Sequence, residues 1–218
     1  FIFIGLATSS PEIFISIISS LSGNSNISIG NALGSNIANI AFVFAMSYLF
    51  LKKDTLSAKK IIDRETYGFM FILLIISMVV ILILKDGMIT INEALLLISS
   101  FFILIFLYKK FFYQDSKNYK NVAIKDLKSN MRIIASLIFG LLTLLIGTEL
   151  LLNSSITVAK YYGISNYVIG LSITAIGSSI PELASSIESA RKKNIDFIIG
   201  NILGSNIFNF TIVMSLAG

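Results

Sequence analysis

Residues 171–210, LSITAIGSSIPELASSIESARKKNIDFIIGNILGSNIFNF, decide how this chain is read. A stretch broken by proline and carrying Glu182 is followed by one with a small, polar face: Gly200, Asn201, Gly204, Ser205, Asn206 and Asn209. Residues 1–40, FIFIGLATSSPEIFISIISSLSGNSNISIGNALGSNIANI, repeat it without a gap at a constant offset of 170 positions. Ser9, Pro11, Glu12, Ser16, Gly30, Asn31, Gly34, Ser35, Asn36 and Asn39 all have identical partners. Self-similarity of this kind marks a fold built from copies of one unit.

The composition places both copies in a membrane. Of the 218 residues, 55% are hydrophobic and 13% charged, with a mean hydropathy of +0.85. Seven apolar segments, 1–21, 27–50, 67–85, 88–108, 131–152, 166–190 and 196–218, approach the roughly 20 residues that a helix needs to span the hydrocarbon layer. The expected fold is an all-α, polytopic transmembrane helical bundle. Cys and His are absent, which removes disulfides, thiolate or imidazole metal sites and the usual nucleophile-and-base pairs. The net charge of +5 sits in short loops, where membrane proteins keep topogenic charge, so nucleic acid is excluded as a partner. The chain starts at Phe1 and stops at Gly218 inside apolar segments, and reads as part of a longer protein.

Alternate loops must lie on opposite sides of the bilayer. Loops 51–66, 109–132 and 191–195 carry 15 of the 17 basic residues, and the other three carry Lys85 and Lys160. The first group is therefore expected to be cytoplasmic. The two copies then begin with helices of opposite direction, giving inverted repeats with broken helices, an architecture of many secondary transporters. The expected organisation is a first half at 1–108 with its repeat in 1–48, a basic linker at 109–130, and a second half at 131–218 with its repeat in 171–218.

Pro11 and Pro181 fall in mid-span, where proline releases the carbonyl four residues back, here Ala7 and Gly177. A carboxylate follows each, and a charged acid at the centre of a spanning helix costs at least about 2.5–3.5 kcal/mol. A matched pair needs a function. Gly5, Thr8, Ser9, Glu12 and Ser16 share one helical stripe, as do Ala175, Ser178, Ser179, Glu182 and Ser186. Carboxylate, hydroxyl and carbonyl oxygens without nitrogen or sulfur suit a hard cation, and Ca2+ takes about 6 to 8 oxygens. The second helix of each copy adds an i, i+4 pair, Ser35 with Asn39 and Ser205 with Asn209. Gly30 with Gly34, and Gly200 with Gly204, form GxxxG patterns whose plainer role is close helix packing. Asn31, Asn36, Asn201 and Asn206 are expected to brace the broken helices.

ATSSPE at 7–12 with GNALGSNIAN at 30–39, and AIGSSIPE at 175–182 with GNILGSNIFN at 200–209, resemble the two alpha-repeats of the sodium/calcium exchanger family, within the calcium/cation antiporter superfamily. IGTELLLNSSITVAKYYGIS at 146–165 is similar to that family's approach to its second repeat. The resemblance implies a protein of about ten spanning helices, of which this chain supplies helices two to eight, and exchange of Na+ for Ca2+ by alternating access. It implies a central Ca2+ site at Glu12 and Glu182, with Thr8, Ser9, Ser178 and Ser179, and backbone ligands at Gly5 and Ala175. Flanking Na+ sites would extend to Ser35, Asn39 and Ser205. The chain departs from the pattern at Ala7, at Ser10 and, more tellingly, at Asn209, where many members carry Asp. With Asn209 the site has two carboxylates rather than three, which disfavours proton or potassium coupling.

The expected function is Na+/Ca2+ antiport. The alternatives are Ca2+/H+ or another cation/H+ antiport and, from a different class, a cation channel lined by the same oxygens. No enzyme chemistry and no resident cofactor are expected. Neither paired catalytic Asp, nor a Ser with a basic partner, nor a His metal motif falls in a spanning segment. The expected partners are Ca2+, Na+ and the lipid bilayer, and the expected location is a prokaryotic plasma membrane.

Overall fold

The computed structural model describes residues 8–51, 64–111 and 127–218. Gly5, most of the expected linker 109–130 and most of the first basic loop lie outside these residues. The described residues are mostly helical, and each segment expected to span falls largely on helix where it is described. In chain order these are α1 (Ser10–Leu21), α2 (Ser25–Ala38), α3 (Ala45–Leu49), α4 (Arg64–Ile83), α5 (Ile91–Phe111), α6 (Leu127–Tyr162), α7 (Asn166–Ile169), α8 (Ala175–Ser178), α9 (Ile180–Arg191) and α10 (Ile195–Phe208). Wider π turns at Asn39–Phe44, Gly170–Thr174 and Asn209–Val213 continue α2, α7 and α10.

Among the described residues four helical stretches are long and apolar enough to cross a membrane: Ser25–Leu49, Thr66–Asp86, Asn166–Arg191 and Ile195–Val213. Ser10–Leu21 and Ile91–Leu107 are shorter apolar helices. The first begins at the break before Pro11, which leaves it 12 residues long. One boundary differs from expectation. The span expected to end at residue 152 continues to Tyr162, because nothing between Asn153 and Tyr162 breaks a helix. It stops at Gly163, whose φ of 67° lets the Ile164 amide close back on the Ala159 carbonyl at 2.8 Å.

Ile195–Val213 is the most enclosed span, with 83% of its apolar window buried against 22% for Thr66–Asp86. It therefore forms the centre of the bundle and α4 part of the wall. Phe69, Ile76 and Val80 from α4, Leu97 and Phe101 from α5, and Leu203 and Phe208 from α10 form the main apolar core. The Phe101 and Phe208 rings meet edge-on at 5.6 Å. Met70, Phe71, Leu74, Met78, Ile81 and Leu82 on α4 are exposed, as suits a face turned to lipid.

The polar helix α2, SNISIGNALGSNIA, would be a poor helix in water. In a bilayer every backbone group must be bonded within the chain, and the helix is enforced. Its small residues then allow a close crossing with the second repeat. A Cβ on Gly30 would stand 2.5 Å from the Tyr167 carbonyl oxygen, and one on Gly34 would meet the Leu171 carbonyl oxygen and, at 2.6 Å, the Ala175 Cβ. Gly170 stands as close to the Ile27 carbonyl. Interdigitation without side chains brings Asn31 and Ser35 onto α8.

Candidate ion site

Both repeats break at the same place. Ser9 (φ −82°, ψ 16°) precedes α1, Ser179 (φ −80°, ψ 5°) precedes α9, and a proline occupies the opening of each helix. Proline at that position lacks only an amide that a first turn leaves unpaired anyway. Each carboxylate therefore falls in a first turn, where free amides and the helix dipole favour negative charge. The break replaces a mid-span helix by a helix start and so moderates the cost of Glu12 and Glu182. Both are fully buried.

Residues of both repeats surround them. Thr8 Oγ1 donates to Asn201 Oδ1 at 3.0 Å and lies 3.2 Å from Ser205 Oγ. The repeat-related contacts are also made: Ser178 Oγ donates to Asn31 Oδ1 at 3.3 Å and lies 3.2 Å from Ser35 Oγ. Each broken helix is thus tied to the second helix of the opposite end of the chain, residues about 143 to 197 apart meeting in one site.

From there the halves diverge. Ser9 Oγ donates to Glu182 Oε1 at 3.1 Å and Ser205 Oγ at 3.3 Å. Their counterparts would bring Ser179 and Ser35 onto Glu12, yet Ser179 Oγ and both Glu12 carboxylate oxygens have no partner among the described residues. Ser35 and Ser178 lie beside Glu12 without closing a hydrogen bond of ordinary geometry on it. Asn201 Nδ2 reaches Ser186 Oγ at 3.0 Å and Ser185 Oγ at 3.1 Å, whereas Asn31 Nδ2 and Ser16 Oγ have no such partners. One half of the site is hydrogen-bonded together and the other presents bare oxygens.

Ser9, Ser35, Asn39, Ser178, Ser179, Ser205 and Asn209 are all buried, Thr8 is half-buried, and Ala175 is fully buried behind the break. The Ala175 carbonyl already accepts the Ser179 amide at 3.1 Å and the Ser178 hydroxyl at 3.3 Å. Asn31 and Asn201 contact the broken helices as expected. Asn36 and Asn206 do not: each donates to the other's backbone carbonyl, at 3.2 and 3.4 Å, across the axis relating the repeats. Their offset on the helix turns them to that axis rather than toward the glutamates. The sequence also carried no sign of the π turns that begin at Asn39 and Asn209, which come from backbone widening rather than from a residue type.

Among the described residues no three acidic, His or Cys side chains form a cluster, so a cation here would complete its shell from neutral oxygens. Glu12 Oε1 and Oε2, Glu182 Oε2, Ser16 Oγ, Ser179 Oγ, Asn39 Oδ1 and Asn209 Oδ1 are buried and without hydrogen-bond partners among the described residues. Acceptors of this kind inside a bilayer are costly unless a cation or water engages them. The set fits a hard cation.

Broken helices meeting inside a membrane-spanning bundle, in two copies related by an axis between them, belong to the inverted-repeat class of membrane proteins. The chain is a member of the sodium/calcium exchanger protein family, whose pattern matches residues 1–109 and 132–218. Over 98% of its length it is 30% identical to the inner membrane protein YrbG of Escherichia coli (strain K12), of which it covers 66%. Over 99% of its length it is 25% identical to the sodium/calcium exchanger MaX1 of Methanosarcina acetivorans, covering 71% of that protein. The fold matches the sodium-calcium exchanger NCX_Mj soaked with Na+ and Sr2+ at a TM-score of 0.69 and 27% identity, over 99% of this chain and 67% of that one. The chain thus spans about two thirds of the length of these relatives.

Proposed function

We propose that the complete protein is a secondary antiporter that exchanges Na+ for Ca2+ through the site between Glu12 and Glu182. The observation that carries this reading is the pair of fully buried carboxylates, each at the start of a broken helix, with three of their four oxygens lacking partners among the described residues. Two carboxylates balance one divalent ion, and the same oxygens can hold several monovalent ones. Emptied of both, the site leaves like charges facing each other in a low-dielectric interior, which opposes reorientation. Competition for one set of oxygens therefore couples the two fluxes. Likeness to MaX1 and NCX_Mj supports Na+ and Ca2+ as the ions. At three Na+ per Ca2+ each cycle moves one charge, worth roughly 2.3 kcal/mol at 100 mV. The basic residues of loops 51–66, 109–132 and 191–195 support a cytoplasmic side for those loops, and we take the membrane to be a prokaryotic plasma membrane.

The test is 45Ca2+ uptake into proteoliposomes of the full-length protein, loaded with Na+ and diluted into Na+-free buffer. Uptake is expected to require internal Na+ and to disappear in Glu12→Gln and in Glu182→Gln. Uptake driven by a pH gradient and indifferent to Na+ would replace the coupling ion, flux without any counter-ion would make the protein a channel, and normal transport by both variants would refute the site.

A further inference from the structure

The two halves of the site hold the same residues and different hydrogen bonds, and the difference reaches the axis between the repeats. Asn36 Nδ2 and Asn206 Nδ2 donate to each other's backbone carbonyls, which fixes the orientation of both amides and leaves each Oδ1 to take another donor. Asn206 Oδ1 takes Asn39 Nδ2 at 3.0 Å. The repeat-related donor for Asn36 Oδ1 is Asn209 Nδ2, and both of these atoms are buried with no partner among the described residues. A donor and an acceptor related by the repeat are thus left unsatisfied, while their counterparts are joined. Leaving both unsatisfied is costly, and a rearrangement that forms this bond while opening its counterpart would leave the number of bonds unchanged.

We propose that Asn36 and Asn206 are positioning residues forming a two-position latch. In the conformation described, Asn206 holds Asn39. In the oppositely facing conformation that bond opens and Asn36 takes Asn209. The proposal rests on the alternating-access reading, since in an inverted-repeat protein the second state is reached when the two repeats exchange conformations. The reciprocal amide-to-carbonyl bonds survive the exchange because each is the other's symmetry copy. The π turns at Asn39–Phe44 and Asn209–Val213 begin at the two residues that must move, and a wider turn gives the backbone room to shift them.

The latch also acts on the ion site. Asn39, held through its Nδ2, keeps its Oδ1 unengaged, whereas Asn209 is held at neither atom. One amide oxygen at a time is therefore oriented for a cation, and the exchange passes that role from one repeat to the other.

Leucine at either latch position separates this role from a structural one. Asn206→Leu removes the acceptor used in the described state, and Asn36→Leu removes the one used in the opposite state. Each also loses one reciprocal bond, but that bond is present in both states and cancels. Hydrogen exchange of the full-length protein in nanodiscs, in Na+-free buffer, compares peptides covering 8–21 and 31–39 with those covering 178–191 and 201–209. The protection ratio between the two sets is expected to shift about five-fold in opposite directions in the two variants, the factor that one hydrogen bond of ordinary net strength supplies. Shifts in the same direction, or none, overturn the latch. If the leucine proteins do not fold, Asn206→Ser and Asn36→Ser make the same comparison, because the shorter hydroxyl cannot span the gap. Na+-driven 45Ca2+ uptake by the unsubstituted protein is measured alongside. Uptake with same-direction shifts overturns the latch alone, and absent uptake overturns the exchanger reading whichever way the halves move.

Discussion

Removing one hydroxyl from each broken helix should have unequal effects, although the sequence makes Ser9 and Ser179 equivalent. Ser9 Oγ donates to Glu182 Oε1 at 3.1 Å, and both side chains are fully buried. In Ser9→Ala that oxygen keeps Ser205, at 3.3 Å, with Thr8 beside the same carboxylate. Losing a buried hydrogen bond to a carboxylate costs about 1–3 kcal/mol. For a chain of this size each kcal/mol lowers Tm by about 2–4 °C, so a drop of roughly 2–12 °C is expected. Ser179 Oγ is buried without a partner, so Ser179→Ala deletes an unsatisfied group and should leave Tm unchanged or raise it. The assay is thermal unfolding of the full-length protein in detergent, in choline buffer with chelator. Repeating it with Ca2+ tests ligation, since a tenfold loss of affinity for saturating ligand removes about 1.4 kcal/mol of stabilisation. Both variants should lose part of the Ca2+-induced rise. Equal drops in Tm in the ion-free protein would refute the inequality of the two half-sites.

Two further substitutions probe the backbone. Gly34→Ala and Gly170→Ala each drive a methyl into the facing helix, at the Leu171 and Ile27 carbonyls respectively, and should lower stability by about 1–3 kcal/mol, read as a lower Tm in detergent. Gly23 and Lys193 end α1 and α9 at repeat-related positions, with φ of 71° and 59° and the same pair of closing backbone bonds. Lysine bears a strain there that glycine does not, so Lys193→Gly should raise Tm by a few degrees, worth about 1 kcal/mol, and Gly23→Ala should lower it by a similar amount, with nothing within 4 Å of the added methyl to offset it.

The repeat made much of the fold legible, because identical residues at one offset marked where the helices break and which residues of the two copies correspond. Pro11 with Glu12, and Pro181 with Glu182, located the helix starts, and the structure brings Thr8, Ser9, Ser178, Ser179, Ser35 and Ser205 around the glutamates. The continuation of α6 was hidden because hydropathy reports where lipid ends and not where a helix does. At Asn153 the side chains turn polar, yet the backbone has no reason to break before Gly163. The roles of Asn36 and Asn206 were hidden for another reason. Spacing placed them beside the site, and only the close approach of α2 to the second repeat showed that they face each other.

Unequal hydrogen bonding follows from what an inverted repeat cannot share. If both carboxylates were bonded as Glu182 is, every hydroxyl in the site would already be committed, and a cation would have to break all of those bonds on arrival. If both were as bare as Glu12, the empty site would hold two unsatisfied buried carboxylates. The described arrangement divides the problem. Glu182 is bonded by Ser9, from the other repeat, and by Ser205, from its own, while both Glu12 oxygens have no partner among the described residues. In the proposed cycle, an ion bound at Glu12 that recruits Ser9 or Ser205 draws them from Glu182, so filling its shell from those hydroxyls and loosening the bonded half are one event. The proposed antiport needs such a link, because the free energy of binding must reach the contacts that hold one side closed.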